Sequence, residues 1–147
     1  MNCRTHRRVA RVFAFVAAGI LLQTLYFKFT GAPESRYIFT RLGVEPWGRV
    51  ATGLLELVAA TLLIVPRTTP IGGLFAAGLM GGAVMSHLTK LGIVVQDDGG
   101  LLFALALTVL ASGLVVAWLD RHRLPWIGSK LPAASACSVG PTGDRPA

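Results

Sequence analysis

Four long apolar runs, at residues 9–27, 50–65, 71–88 and 101–119, constrain this chain more than anything else in it. Crossing ~30 Å of hydrocarbon at ~1.5 Å per residue takes roughly 20 mostly apolar helical residues. The third and fourth runs contain no Asp, Glu, Lys or Arg, whereas the second is short and carries Glu56. No stretch alternates apolar and polar residues with period two, as a membrane barrel would require. The expected fold is therefore all-α: an integral membrane four-helix bundle made of four transmembrane helices. Composition agrees, because charged residues make up only 14% of the 147 residues, against about 25% in soluble domains. A soluble core of this size has no room for all four runs; lipid does.

This reading divides the chain into a basic arm (1–8), a four-span domain (9–119), and a flank with tail (120–147). Residues 131–147 are Pro, Ala, Ser and Gly without periodicity, the signature of a disordered tail. The first run has a basic start but exceeds a signal-peptide core. It ends in Leu25-Tyr26-Phe27-Lys28-Phe29 without small residues for cleavage, so it is expected to stay as a span.

An even number of spans puts both termini on one side. That side carries Arg4, Arg7, Arg8, Arg11, Arg67, Arg121, Arg123 and Lys130, against Lys28, Arg36, Arg41, Arg49 and Lys90 opposite. By the positive-inside rule both termini are expected in the cytoplasm, with the protein multi-pass in the inner (plasma) membrane. The same distribution speaks against nucleic acid as a partner, despite a net charge of +7. The cations flank spans, where lipid headgroups account for them, and no stacking aromatics are interleaved.

The connecting segments carry turn chemistry. Gly31-Ala32-Pro33 ends the first span, and residues 35–42 are expected to lie as a short interfacial helix with Tyr37, Ile38 and Leu42 toward lipid. Pro66-Arg67-Thr68-Thr69-Pro70 is a tight turn that makes spans two and three antiparallel neighbours. Asp97-Asp98-Gly99-Gly100 opens the fourth span, where acidic residues suit a helix N-terminus. Trp47 falls at one membrane face, Trp118 and Trp126 at the other, as aromatic belts do.

Cys3 and Cys137 sit at opposite ends without a C-x-x-C, so no dithiol centre is expected. His6, His87 and His122 never occur at ligand spacing, and only His87 lies at membrane depth, so neither a metal site nor a haem pair is expected.

What remains is the polar content of the spans. Intramembrane ionisable groups are costly and mark functional sites by default. Here they are Lys28, Glu56, His87 and Lys90, with Gln23 as a neutral companion. Counting ~1.5 Å per residue puts Glu56 roughly 10 Å below the external end of its span and the others near the external ends of theirs. A Lys stem of ~6 Å spans that difference, so one cluster is geometrically possible. Two readings stay open: a pair that only fixes helix register, or a site that exchanges protons or grips a polar headgroup. Span three adds two small-residue stripes, Gly73, Ala77, Gly81 and Gly78, Gly82, Ser86, which point to helix packing and a central position for that span.

The chain resembles the DoxX family of small bacterial and archaeal membrane proteins. The resemblance rests on Lys28 with Gly31, on Arg49-Val50-Ala51-Thr52-Gly53-Leu54-Leu55-Glu56-Leu57, on Pro66, and on Gly81-Gly82-Ala83-Val84-Met85-Ser86-His87-Leu88. It implies that Lys28, Glu56 and His87 match the family's polar positions. It also implies a membrane subunit rather than an enzyme on its own, since no catalytic motif comes with it. The namesake resembles a small subunit of a quinone-linked oxidase, which makes quinone the one cofactor to consider and a redox protein or a second copy the partners to consider. A proton-coupled transporter of small hydrophobic solutes and a purely structural membrane protein are the alternatives.

Overall fold

The computed structural model describes residues 3–121, so Trp126, Cys137 and the expected tail lie outside the described residues. The described residues form five α-helices: α1 (Cys3–Thr30), α2 (Pro33–Leu42), α3 (Trp47–Ile64), α4 (Thr69–Ser86) and α5 (Leu101–Leu119). α4 runs on without a break into a π-helical turn, His87–Leu91. Four of the helical stretches are long and apolar enough to cross a membrane: Thr5–Thr30, Trp47–Ile64, Thr69–Leu91 and Leu101–Leu119. Each expected run is one of them, including the short second. No strand occurs among the described residues.

The side-chain distribution is that of a protein solvated by lipid. The α1 stripe Ala10, Ala14, Ala17, Ala18 and Leu21 is buried, while Phe15, Leu54, Leu74, Leu114 and Trp118 are exposed. Large apolar side chains gain nothing from leaving hydrocarbon, so helix contacts go to small residues that let backbones approach closely. Hydroxyls on exposed faces are satisfied within their own helices: Thr61 donates to the Leu57 carbonyl at 2.8 Å and Thr108 to the Ala104 carbonyl at 2.8 Å. That pairing leaves no free donor in an apolar surround.

The four spans form a ring in which α1 packs on α3 and α5, and α4 on α5 and α3. Every span thus has two close neighbours: span three has them on two sides, as expected, but is no more central than the others. The 66–68 turn is too tight to carry α4 elsewhere. Thr68 donates to the Leu62 carbonyl at 3.0 Å, and Thr69 to the Val65 carbonyl at 2.9 Å. Both hydroxyls satisfy carbonyls that the end of α3 leaves without helical partners.

Close approach at α4 depends on Gly72 and Gly73. A Cβ at Gly72 would lie 2.6 Å from the Leu63 nitrogen, and one at Gly73 would lie 2.7 Å from the Gly113 carbonyl. Ala77 is buried at the same α5 contact. Gly78, Gly81 and Gly82 meet nothing within 4 Å. Packing therefore accounts for Gly73 and Ala77 of the first expected stripe but not for Gly81, Gly78 or Gly82, because α4 and its neighbours are closely apposed near Gly73 and open farther along.

The short α2 forms, bounded by Gly31 and Gly43 at φ +67° and +77°, but its orientation corrects the expectation. Tyr37 is exposed, whereas Ile38 and Leu42 line a partly open cavity along with Ser35 and Phe39. The helix covers one end of the bundle.

Candidate functional site

At that covered end, α1 and α3 bring Lys28 to Glu56. The ammonium donates to both carboxylate oxygens at 2.9 Å, with side-chain exposures of only 16% for Lys28 and 4% for Glu56. The sequence places this contact by spacing alone. Lys28 is in the last turn of α1, and Glu56 is nine residues into α3, about 13 Å from its start. That is deeper than the apolar run implied, because α3 begins three residues earlier, at Trp47. Gly53, one turn before Glu56, admits the α1 side chains: its would-be Cβ lies 3.7 Å from the Lys28 Cβ and 3.4 Å from the Phe29 ring.

Two further groups hold this pair. Thr24, one turn before Lys28, has a single proton and two acceptors: the Leu21 carbonyl at 2.9 Å and Glu56 Oε2 at 3.2 Å. The helix carbonyl is the closer, which leaves Lys28 as the main partner of the carboxylate. Arg49, buried two turns before Glu56 on α3, donates through its guanidinium to the Lys28 carbonyl. Its Nε contacts both Glu45 oxygens, at 2.8 and 3.1 Å. Lys28 is thus fastened to α3 at both ends, its ammonium by Glu56 and its carbonyl by Arg49. A cation is also favoured beside the carbonyls that end a helix.

His87, buried at the first position of the π-turn, lines the same cavity. Its Nδ1 lies 2.8 Å from the Gly92 carbonyl, so Nδ1 bears the proton and Nε2 is the free ring nitrogen when the ring is neutral. Its ring meets Phe103 edge-on, with centroids 5.6 Å apart. Asp98 closes this side. Its Oδ1 accepts from the Val95 and Gly100 backbone N–H groups and its Oδ2 from that of Leu102, tying the loop to the start of α5. Burial opposes ionisation there, but those three donors and the nearby His87 outweigh it and hold the carboxyl below its ordinary value of 3.8.

Between these groups lies a cavity of about 610 Å³, within the range of small-molecule sites. Lys28, Ser35, Glu56, His87 and Asp98 line its polar part. Ile20, Leu79, Met80, Leu102 and Leu105 line the rest. Ser35 is buried, and its hydroxyl is the one buried side-chain polar atom among the described residues without a hydrogen-bond partner.

Of the expected cluster, the structure joins Lys28 directly to Glu56 and sets His87 on the same cavity wall. Gln23 also lines the cavity, although it is largely exposed. Lys90 is exposed on the π-turn and is not part of the cavity. Gly82 borders the cavity rather than a helix. Sequence reasoning missed Thr24, Ser35, Arg49 and Asp98 as members. Spacing carried a signal for two of them, since Thr24 is four residues before Lys28 and Arg49 seven before Glu56. Among the described residues, no group of three or more His, Cys, Asp or Glu is placed to hold a metal ion.

These features define a four-span integral membrane protein with an ion-paired cavity near one end of its bundle. The DoxX-like family model matches residues 12–114, and the chain belongs to that family. Comparison with curated proteins and with solved structures gave no match.

Proposed function

We propose that this protein is an accessory membrane subunit of a quinone-linked redox assembly, with both termini in the cytoplasm and the cavity holding the quinone head. The cavity is the observation that carries this reading. It has a polar part and an apolar remainder, the division that a ring with an isoprenoid chain needs. The residues present suit such a head. After two hydrogen bonds to Glu56 the Lys28 ammonium retains one N–H for a carbonyl oxygen, and Ser35 has an unused hydroxyl. His87 Nε2 and the Glu56 carboxylate are the groups that exchange protons there. A bound quinone supplies two-electron, two-proton chemistry, and the electrons come from a partner redox protein.

A second reading, proton-coupled transport of a hydrophobic solute, rests on the same cavity. Lys28 argues against its cation-exchanging form, because an internal ammonium already occupies the carboxylate. The test is purification in mild detergent, followed by solvent extraction for quinone and identification of copurifying proteins. Quinone retained by the native chain and lost in Glu56→Gln, together with a redox protein, supports the proposal. Neither of these, with proton-driven solute uptake in vesicles, would replace it by the transporter.

A further inference from the structure

The cavity's charges define its ligand more sharply than its volume does. Glu56 and Lys28 are each other's partner at 2.9 Å, both well shielded from water. Of the other titratable groups lining the cavity, Asp98 has its oxygens committed to three backbone N–H donors, Glu34 is exposed, and His87 is held through Nδ1. An anionic head entering this space meets Glu56 and Asp98 and finds the lining ammonium, that of Lys28, already engaged. A cationic head meets Lys28 and finds Glu56 engaged. Either ion leaves hydrocarbon-facing charge without compensation, which a low-dielectric site penalises heavily.

An uncharged head meets neither penalty and can still accept from the third Lys28 N–H, and one further group lacks any partner of its own. The Ser35 hydroxyl, on the helix that covers the cavity, has no protein partner among the described residues. A buried donor without a partner is costly, and rotation about one side-chain bond presents it to a ligand.

We infer that the Lys28–Glu56 pair is a charge filter: the cavity accepts amphiphiles with an uncharged, hydrogen-bonding head engaged by Ser35, and rejects amphiphilic anions and cations of the same chain length. The inference rests on the cavity being a ligand site, as proposed above, but not on the ligand being a quinone.

The test uses the full chain in lipid nanodiscs and four probes with a nine- or ten-carbon alkyl chain: 1-decanol, decanoate, decyltrimethylammonium and decyl-benzoquinone. Retention is measured against empty nanodiscs. The native protein is expected to retain decanol roughly tenfold or more above either ion. Ser35→Ala weakens decanol several-fold, on the order of one lost hydrogen bond, without admitting an ion. Glu56→Gln frees the ammonium and gains decanoate by about tenfold or more; Lys28→Met frees the carboxylate and gains decyltrimethylammonium to a similar degree. Should Lys28→Met fail to fold, the native panel and Glu56→Gln decide the matter. Equal retention of either ion and decanol by the native protein overturns the filter, as does Glu56→Gln without gain of decanoate. Retention of no probe overturns the ligand site itself. Decanol retained without decyl-benzoquinone upholds the filter and removes the quinone reading.

Discussion

Replacing Lys28 with Met removes the cation that both Glu56 oxygens contact, and the structure sets the size of the effect. At an effective dielectric of ~20, unit charges ~4 Å apart attract by about 4 kcal/mol. Removing one partner of a buried pair costs about 3–5 kcal/mol, because the other charge is stranded. Glu56 is nearly sealed, and its remaining donor, Thr24, is shared with the Leu21 carbonyl. Lys28→Met should therefore lie in that full range. The reverse change is milder. Lys28 is in the last turn of α1, so its stem can swing the ammonium toward the interface, and the amide that Glu56→Gln introduces still offers an oxygen. Glu56→Gln should cost only ~1–2 kcal/mol, the range of one net hydrogen bond. The double variant has no stranded charge and should recover most of the Lys28→Met loss, a coupling of about 3–4 kcal/mol. The assay is equilibrium unfolding by SDS in mixed micelles, followed by helical circular dichroism. Additivity within ~0.5 kcal/mol would refute the pairing. In cells, Glu56→Gln should insert normally and abolish activity; a fully active variant would show that the pair serves only packing.

Further outcomes follow from individual contacts and from the proposed topology. Gly73→Ala drives a Cβ to 2.7 Å from the Gly113 carbonyl and should lower stability by ~1–3 kcal/mol. Gly81→Ala enters open space and should be neutral or stabilising by up to ~1 kcal/mol; equal effects in thermal melts would contradict the α4 geometry. Asp98→Asn keeps one acceptor oxygen but sets an amide donor against backbone donors, so it should loosen the start of α5 by ~1 kcal/mol, as loss of a helix cap does. Because the folded-state pKa of Asp98 is depressed, its contribution is present above the ordinary value of 3.8 and lost as pH falls through the folded value; acid melts of the native protein and Asp98→Asn should converge there. Finally, Cys137 should resist an impermeant maleimide in intact cells and react after lysis; labelling of intact cells would reverse the proposed orientation.

How much of this was legible in the sequence depends on which physical property each feature needed. The spans were legible because hydrocarbon thickness sets a length that any apolar run can be measured against. Lys28–Glu56 was legible because charge in a span is rare and needs a partner. The cavity was not. A residue facing lipid and one facing an apolar cavity satisfy the same preference, so Ile38 and Leu42 on α2 carry no mark that separates the two. Ser35 is ordinary in a short loop helix, and only the fold that buries it turns its hydroxyl into an anomaly. The glycines of α4 show the same ambiguity. Small residues at every fourth position state that something comes close or that space is left open, without saying which. Opposite Gly73 stands Gly113, another residue without a side chain, and the backbones touch. Two to three turns on, Gly82 has no such counterpart, and the room its missing side chain leaves belongs to the cavity. Of the two periodic stripes on α4, one thus draws the helices together at Gly73 and the other borders the candidate site at Gly82, a division that only the surrounding residues decide.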